Sequence, residues 1–190
     1  MKVLLISATK LEHGVDSIYG IPINIIGVGK VSSCFHTSVL LQKHNPDLVI
    51  NFGSCGALKN FPIGSMIEVG KVHNDIDSYN LDEYGKTPFT DIGVINFNPN
   101  SNVECFSTDY FYDKKIHGSY FKNYQDMIKT CDIVDMELYS IAFCCMKMNT
   151  KLVSIKWVSD DGDSINWKNN NDIGFKKFKE ILKIKYLLNQ

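Results

Sequence analysis

Three aspartates follow the end of an apolar run, and this is the most informative stretch of the chain. Residues 152–158 are a short run rich in β-branched and aromatic residues, which is typical of a buried strand. The polar residues Ser159, Asp160, Asp161 and Asp163 follow it. Parallel α/β sheets bind ligands outside the carboxyl ends of their strands. Crowding and apolar walls raise the pKa of a carboxyl group there, which makes it a proton donor. A solvated turn that caps the next helix fits the same residues.

Two further carboxyl groups stand at the ends of predicted elements. Glu12 follows the first predicted strand, and Glu137 opens a predicted helix. Junctions of a doubly wound sheet can converge on one crevice, where two carboxyl groups in different environments divide acid and base roles. Glycosyl chemistry uses such a pair, with a water between them in inverting reactions. A surface loop would equally account for Glu12, and the positive end of a helix would favour Glu137 without catalysis.

Two glycine-containing segments predict turns that follow strands. Residues 27–30, Gly-Val-Gly-Lys, lack the third glycine of a dinucleotide fingerprint and the Gly-Lys-Ser/Thr of a P-loop, so they predict only a tight strand-to-helix turn. Residues 53–56, Gly-Ser-Cys-Gly, predict a second turn, in which backbone amides or the Ser54 hydroxyl can approach a ligand. Cys55 could in principle be a nucleophile, but the sequence indicates no base that would deprotonate its thiol. Phe111 can stack on a flat base or belong to the core.

The composition bounds the class of protein. The chain has 190 residues, 44% of them hydrophobic, and a net charge of −1, which favours neither nucleic acid nor an anionic membrane as a partner. No run reaches the length of a transmembrane helix, and the first residues lack a signal-peptide pattern, so we expect a cytoplasmic protein. The six cysteines include no Cys-x-x-Cys pair and no histidine at metal-finger spacing, so we expect no metal site.

Strands and helices alternate along the chain. The patterns predict strands at residues 2–8, 21–28, 47–52, 63–72, 103–106, 133–136 and 151–158, and helices at 31–44, 116–129, 137–148 and 172–188. Residues 74–102 and 166–172 predict loops, the second a possible lid. The alternation predicts an α/β fold, with a mixed, largely parallel central sheet flanked by helices, in a single domain over residues 1–190.

Taken together and in order, these segments resemble the purine nucleoside phosphorylase and nucleosidase superfamily, and within it most resemble the 5′-methylthioadenosine/S-adenosylhomocysteine nucleosidases. The matching segments are residues 1–8 with Glu12, 27–31, 46–56, 83–85, 108–111, 134–137 and 158–163. The segment between Glu12 and Gly27 is shorter than is usual in this family. The resemblance implies a nucleoside phosphorylase-like fold, a small-molecule nucleoside substrate, no cofactor, a homodimer and a role in methionine salvage.

The resemblance also implies a role for each site residue. Asp160 would be the general acid that protonates the purine at N7, and Ser159 would orient it. Glu12 would activate the attacking water. Ser54 and Gly56 would line the ribose and water region.

The remaining implied roles concern the sugar and the base. Glu137 would hold the ribose hydroxyls, with Met136 against the sugar. Phe111 would stack on the base, and the Tyr112 backbone would read its edge. Phe175 is a candidate for the pocket that receives the 5′-substituent.

Hydrolysis is favoured over phosphorolysis on chemical grounds. All 20 basic residues are lysine, whereas family phosphorylases bind phosphate with arginines, and an acidic Glu12 would repel phosphate. An aspartate at position 160 favours a 6-amino purine, because other branches often carry asparagine there. Open alternatives are a nucleosidase or phosphorylase for another nucleoside, such as a futalosine-type enzyme, and a catalytically impaired nucleoside-binding homologue.

Overall fold

The computed structural model describes residues 1–79, 81–117, 120 and 122–187. Within them the strands are β1 (Val3–Ser7), β2 (Ser17–Ile18), β3 (Ile21–Ile25), β4 (Leu48–Ala57), β5 (Met66–Glu68), β6 (Lys71–Asn74), β7 (Ile95–Asn96), β8 (Glu104–Ser107), β9 (Ile133–Asp135) and β10 (Lys151–Asp160). The helices are α1 (Lys30–His44), α2 (Lys114–His117), α3 (Lys122–Thr130), α4 (Leu138–Lys147), α5 (Ser164–Asn170) and α6 (Phe175–Ile181), which continues as a π-helical segment, Leu182–Leu187.

The strands form one mixed sheet in the order β2-β3-β1-β4-β9-β8-β6-β7, and β10 pairs with β4 and β5. The pairs β1–β3, β1–β4, β4–β10, β6–β8 and β8–β9 are parallel. The short pairs β2–β3, β4–β9, β5–β10 and β6–β7 are antiparallel. This arrangement confirms the predicted α/β class with a mixed, largely parallel sheet.

Both faces of the sheet are buried, because successive side chains of a strand point to opposite sides. In β1, Leu4 and Ile6 contribute to a core that includes residues of α1 and α4, whereas Leu5 contributes to a second core that contains α6. Phe178 of α6 is fully buried and stacks on Phe52 of β4 with ring centroids 4.2 Å apart. The near-continuous apolar sequences of β1 and β4 therefore follow from burial on both faces.

The prediction of a turn at residues 53–56 was wrong, because β4 runs without interruption from Leu48 to Ala57. The ladder to β10 extends along almost all of this strand, pairing Gly53 with Lys156 and Cys55 with Val158. The parallel strand β10 supplies hydrogen-bond partners for the backbone N–H and C=O groups of this segment, which would face solvent in a turn. Strand pairing therefore outweighed the local preference of glycine for turns.

Other boundaries also differ from the predictions. The predicted strand at 63–72 is two strands, β5 and β6, because β5 pairs with β10 whereas β6 pairs with β7 and β8. At Gly70, between them, an added Cβ would lie 2.0 Å from the Ser101 carbonyl oxygen. Much of the predicted loop at 166–172 is helix α5. The predicted helices at 116–129 and 172–188 include residues 118, 119, 121 and 188, which lie outside the described residues; α2, α3 and α6 occupy parts of those ranges. Among the described helices, none is long and apolar enough to cross a membrane.

The Phe178–Phe52 stack predicts a large effect of truncation on stability. Phe178→Ala should lower the free energy of unfolding by about 3–5 kcal/mol, because it removes a buried ring and leaves a cavity. Phe89→Ala is the matched control, since Phe89 is 88% exposed and its loss should change stability by less than about 0.5 kcal/mol. Urea unfolding of both variants measures the difference, and equal losses would contradict this description of the core.

Candidate active site

Of the nine residues to which the family resemblance assigns a catalytic or substrate-binding role, eight line one cavity at the carboxyl ends of the central strands. They are Glu12, Ser54, Gly56, Phe111, Tyr112, Met136, Glu137 and Asp160. The ninth, Ser159, lies behind Asp160 and donates a hydrogen bond from its hydroxyl to Asp160 Oδ2 (2.8 Å). Residues that are far apart in sequence therefore form one site, as expected where strand ends of an α/β sheet meet.

Glu12 is held by three hydrogen bonds at the wall of the cavity. It ends a 3₁₀ turn after β1, is 4% exposed, and accepts the backbone N–H and the hydroxyl of Ser54 at Oε1, both at 2.7 Å. Its other oxygen, Oε2, accepts the hydroxyl of Ser7 at 2.9 Å. A carboxylate offers about four acceptor positions, so these three bonds leave about one, on Oε2, for a water. Burial raises the pKa of Glu12, although Lys156, Ser54 and Ser7 counteract part of the effect.

Two glycines of β4 make room for the carboxyl groups of the site. A Cβ added at Gly53 would lie 2.9 Å from each carboxyl oxygen of Glu12. A Cβ added at Gly56 would lie 3.2 Å from Asp160 Oδ1 and 3.0 Å from a methyl group of Val134. These glycines therefore serve close approach within a strand, rather than the turn that the sequence predicted.

Asp160 is the last residue of β10 and is 2% exposed. Besides the Ser159 hydroxyl at Oδ2, it accepts the backbone N–H of Gly162 at Oδ1 (2.9 Å). Burial raises the pKa of Asp160, although these two hydrogen bonds lower it in part. The carboxyl group therefore retains its proton to a higher pH than an exposed aspartate does.

The other two aspartates of this segment have structural partners. Asp161 forms an exposed ion pair with Lys114. Asp163 caps α5, because its side chain accepts the backbone N–H groups of Ile165 (2.8 Å) and Asn166 (3.3 Å). The capping turn and the buried acid that the sequence left as alternatives are both present, on different residues.

Glu137 lies at the start of α4 and faces the turn that opens α1. Its Oε1 accepts the backbone N–H of Gly29 at 3.0 Å. Gly29 has φ 84°, a left-handed conformation that glycine adopts without strain, and this conformation aims the amide at the carboxyl group. Burial raises the pKa of Glu137, and the nearby charge of Asp135 adds to the increase.

A buried lysine, which the sequence reasoning missed, neutralises charge behind the cavity. Lys156 of β10 is 2% exposed, and its Nζ lies 2.9 Å from Asp135 Oδ2. Burial opposes its charge, but the carboxyl groups of Asp135, Glu137 and Glu12 together raise the pKa of Lys156 above its usual value. A lysine within a strand that otherwise reads as buried is itself a signal, since a buried lysine requires an acidic partner.

Aromatic side chains form another part of the wall. Phe111 and Trp167 line the cavity with ring centroids 6.2 Å apart in an edge-on arrangement. Trp167, on α5, was not predicted as a site residue because its polar surroundings suggested a loop. Tyr112 packs against Gly162, where an added Cβ would lie 2.8 Å from the tyrosine ring. The face of a planar base could contact Phe111 here.

Two other residues considered from the sequence have different environments. The Cys55 thiol is buried, donates to the Trp157 carbonyl oxygen (3.4 Å), and has a pKa raised by burial, all of which disfavour a nucleophilic thiolate. Phe175 packs beside Phe52 and His13 in the α6 core, with ring centroids 6.3 and 5.8 Å away.

The fold and the cavity define an α/β protein of the nucleoside phosphorylase type. Comparison with family models gave no match. The chain is 30% identical over 177 residues, which cover 83% of this chain and 76% of the relative, to the 5′-methylthioadenosine/S-adenosylhomocysteine nucleosidase of Buchnera aphidicola subsp. Acyrthosiphon pisum (strain Tuc7). The chain belongs to the 5′-methylthioadenosine/S-adenosylhomocysteine nucleosidase family.

Solved structures share the fold at lower sequence identity. The Neisseria meningitidis 5′-methylthioadenosine/S-adenosylhomocysteine nucleosidase, in complex with methylthio-immucillin-A, superposes with a TM-score of 0.80 at 18% identity, covering 95% of this chain and 96% of that one. The futalosine hydrolase of Helicobacter pylori has a TM-score of 0.80 at 18% identity, covering 96% of each chain. At this identity the likeness supports the fold alone.

The ion pair between Lys156 and Asp135 predicts a large loss of stability when its cation is removed. Lys156→Met should lower the free energy of unfolding by about 3–5 kcal/mol, because Asp135 would remain buried without a counter-charge. Lys151→Met, at the exposed first residue of the same strand, is the matched control and should cost less than about 0.5 kcal/mol. Thermal and urea unfolding measure both, and a Lys156 variant as stable as its control would refute the role of the pair.

Proposed function

We propose that this chain hydrolyses the N-glycosidic bond of a 5′-substituted adenine nucleoside, of the methylthioadenosine or S-adenosylhomocysteine type, and releases adenine. The observation that carries the proposal is the pairing, in one cavity, of a buried acid with a raised pKa and a second carboxyl group that has one acceptor position open. Family membership supports the reaction class. The activity is assigned to a single domain over residues 1–190.

Asp160 serves as the general acid. Cleavage of the bond leaves negative charge on the departing base, and a proton delivered to purine N7 removes it. Burial keeps the proton on Asp160, and Ser159 and Gly162 fix the two carboxyl oxygens in space. The adenine therefore departs as a neutral molecule.

Glu12 serves as the general base for the attacking water. Ser54 and Ser7 occupy three of its acceptor positions, so the water binds at the remaining one, on Oε2. The sugar develops positive charge as the base leaves, and nearby carboxyl groups stabilise that charge. Ser54 and Gly56 line the region of the sugar and the water.

The sugar and the base occupy the remaining walls. Glu137 holds the ribose hydroxyls, and the Gly29 N–H fixes the orientation of its carboxyl group. Met136 lies against the sugar. Phe111 stacks on the base while the Tyr112 backbone reads its edge.

A related nucleoside is the second candidate, because the futalosine hydrolase of Helicobacter pylori shares this fold to the same extent. Phosphorolysis is disfavoured by the chemistry of the site, which contains carboxyl groups and no arginine. A catalytically impaired nucleoside-binding homologue would bind purine nucleosides without releasing base. A nucleoside panel assayed with and without phosphate separates all three.

We also propose that the chain acts as a cytoplasmic homodimer in methionine salvage. All six cysteines are free thiols, which suits a reducing compartment. Leu11 and Val28 line the cavity while 66% and 56% exposed, and Val31 and Phe35, one turn apart on α1, are 84% and 65% exposed. Exposed apolar groups of this kind favour a second copy of the chain beside the site. Sedimentation velocity that detects only monomer at micromolar concentration would contradict the dimer.

Removal of the proposed general acid should greatly lower the rate of adenine release. Asp160→Asn should reduce adenine release from methylthioadenosine about 10²–10⁴-fold, because the amide cannot protonate N7. Asp161→Asn, which changes the exposed neighbour paired with Lys114, is the matched control and should retain activity. Free adenine is measured by chromatography, with thermal unfolding as the check on folding. Full activity in Asp160→Asn would exclude this residue as the acid.

The hydrogen bond from Ser159 predicts a change in the pH profile. The Ser159 hydroxyl stabilises the ionised form of Asp160, so Ser159→Ala should raise the pKa of Asp160 further. A general acid works only while protonated, so the alkaline limb of kcat should move to higher pH. An unchanged or downward-shifted limb would show that Asp160 does not control it.

A further inference from the structure

The indole N–H of Trp167 enters the hydrogen-bond network of the catalytic base, and no step of the proposed reaction uses it. Trp167 Nε1 donates to Ser54 Oγ at 3.0 Å, and Ser54 Oγ lies 2.7 Å from Glu12 Oε1. The three groups form a chain from the wall of the cavity to the carboxyl group that faces water. The indole is a donor only, so the direction of its bond is fixed.

The chemistry of a hydroxyl group gives this chain a direction. A serine hydroxyl has one hydrogen to donate and two lone pairs to accept with. When Trp167 occupies a lone pair of Ser54, the hydroxyl hydrogen is directed toward the carboxylate, and each bond strengthens the next. Oε1 of Glu12 then accepts two donors from Ser54, which leaves Oε2 to bind water and take its proton.

We propose that Trp167 is a positioning residue, which acts through Ser54 to keep Glu12 oriented with Oε2 as the basic oxygen. The inference rests on the proposed hydrolysis and extends it to a residue of α5. Because the effect passes through an N–H group, it differs from the contribution of the indole ring as part of the cavity wall.

The setting of α5 suits this role. The Asp163 side chain caps its first turn, three residues beyond Asp160. Near its end, Asn170 Nδ2 donates to the Ser159 carbonyl oxygen at 3.1 Å. The Phe111 ring meets the indole edge-on. The helix is therefore attached at both ends to the segment that carries the acid, and its tryptophan reaches the base.

Trp167→Phe tests the proposal, because it removes the N–H donor and keeps an aromatic ring in the wall. We expect kcat for the adenine nucleoside to fall about three- to tenfold, the equivalent of one hydrogen bond, with KM changed less than about twofold. Loss of support for the Ser54 bond raises the pKa of Glu12. The acidic limb of the pH profile should therefore move to higher pH, because the base must be ionised.

A double-mutant cycle shows whether the effect passes through Ser54. In a Ser54→Ala background, Trp167→Phe should cause no further fall in kcat. Trp157→Phe is the matched control, because it removes an indole N–H that donates to the Asn171 carbonyl oxygen, within the core. It should lower thermal stability and leave the acidic limb unchanged.

The outcomes separate this inference from the proposed function. If wild-type protein releases base and Trp167→Phe equals it in kcat and pH profile, the positioning role is wrong and the hydrolysis stands. Equal losses in the wild-type and Ser54→Ala backgrounds would also overturn it, because the tryptophan would then act only as part of the wall. If the wild-type chain releases no base, the proposed function fails first.

Discussion

A buried ammonium group, surrounded by carboxyl groups, holds together the charged part of the site. Lys156 contacts Asp135 directly and interacts with the carboxyl groups of Glu12 and Glu137. Burial raises the pKa of both Glu12 and Glu137, the charge of Asp135 raises that of Glu137 further, and the Lys156 charge offsets only part of these effects. Carboxyl groups with raised pKa values stay protonated at a pH where exposed carboxyl groups are ionised. Cleavage of a glycosidic bond requires such a proton donor.

Backbone architecture places that charge cluster. Lys156 and Gly53 are register partners on adjacent parallel strands, and the missing side chain of Gly53 admits the Glu12 carboxyl group. Asp135 connects the cluster to α4, because it accepts the Leu138 N–H at 3.0 Å while it pairs with Lys156. The sheet therefore serves as a rigid frame in which side chains from β9 and β10 meet the turn after β1.

The sequence predicts those parts of the site that follow strand ends, because that rule depends on local pattern alone. Asp160, Glu137 and Glu12 each stand where a periodic segment stops, and all three line the cavity. Lys156 was missed because a strand pattern does not reveal which long-range partner a buried charge will meet. Trp167 was missed because its helix has only seven residues and little apolar periodicity, although the Asp163 cap marks where it begins.

The fold class follows from the alternation of strands and helices along the sequence, whereas several strand boundaries depend on pairing with strands that are distant in sequence. The continuation of β4 through residues 53–56 requires β10 beside it, and no local feature of Gly-Ser-Cys-Gly indicates that neighbour. Conversely, the end of α1 is evident from sequence, because Asn45 and Pro46 follow it. In the structure, Asn45 adopts the left-handed conformation that ends the helix. Local signals therefore decide where a helix such as α1 ends, and long-range pairing decides how far a strand such as β4 extends.

In the proposed reaction, water bound by Glu12 attacks the sugar. Digestion of methylthioadenosine in ¹⁸O-labelled water, with phosphate present, tests it by mass spectrometry of the sugar product. Hydrolysis predicts a free thio-sugar that carries one ¹⁸O atom at the anomeric carbon when analysed before exchange with solvent. A sugar 1-phosphate without label would contradict it.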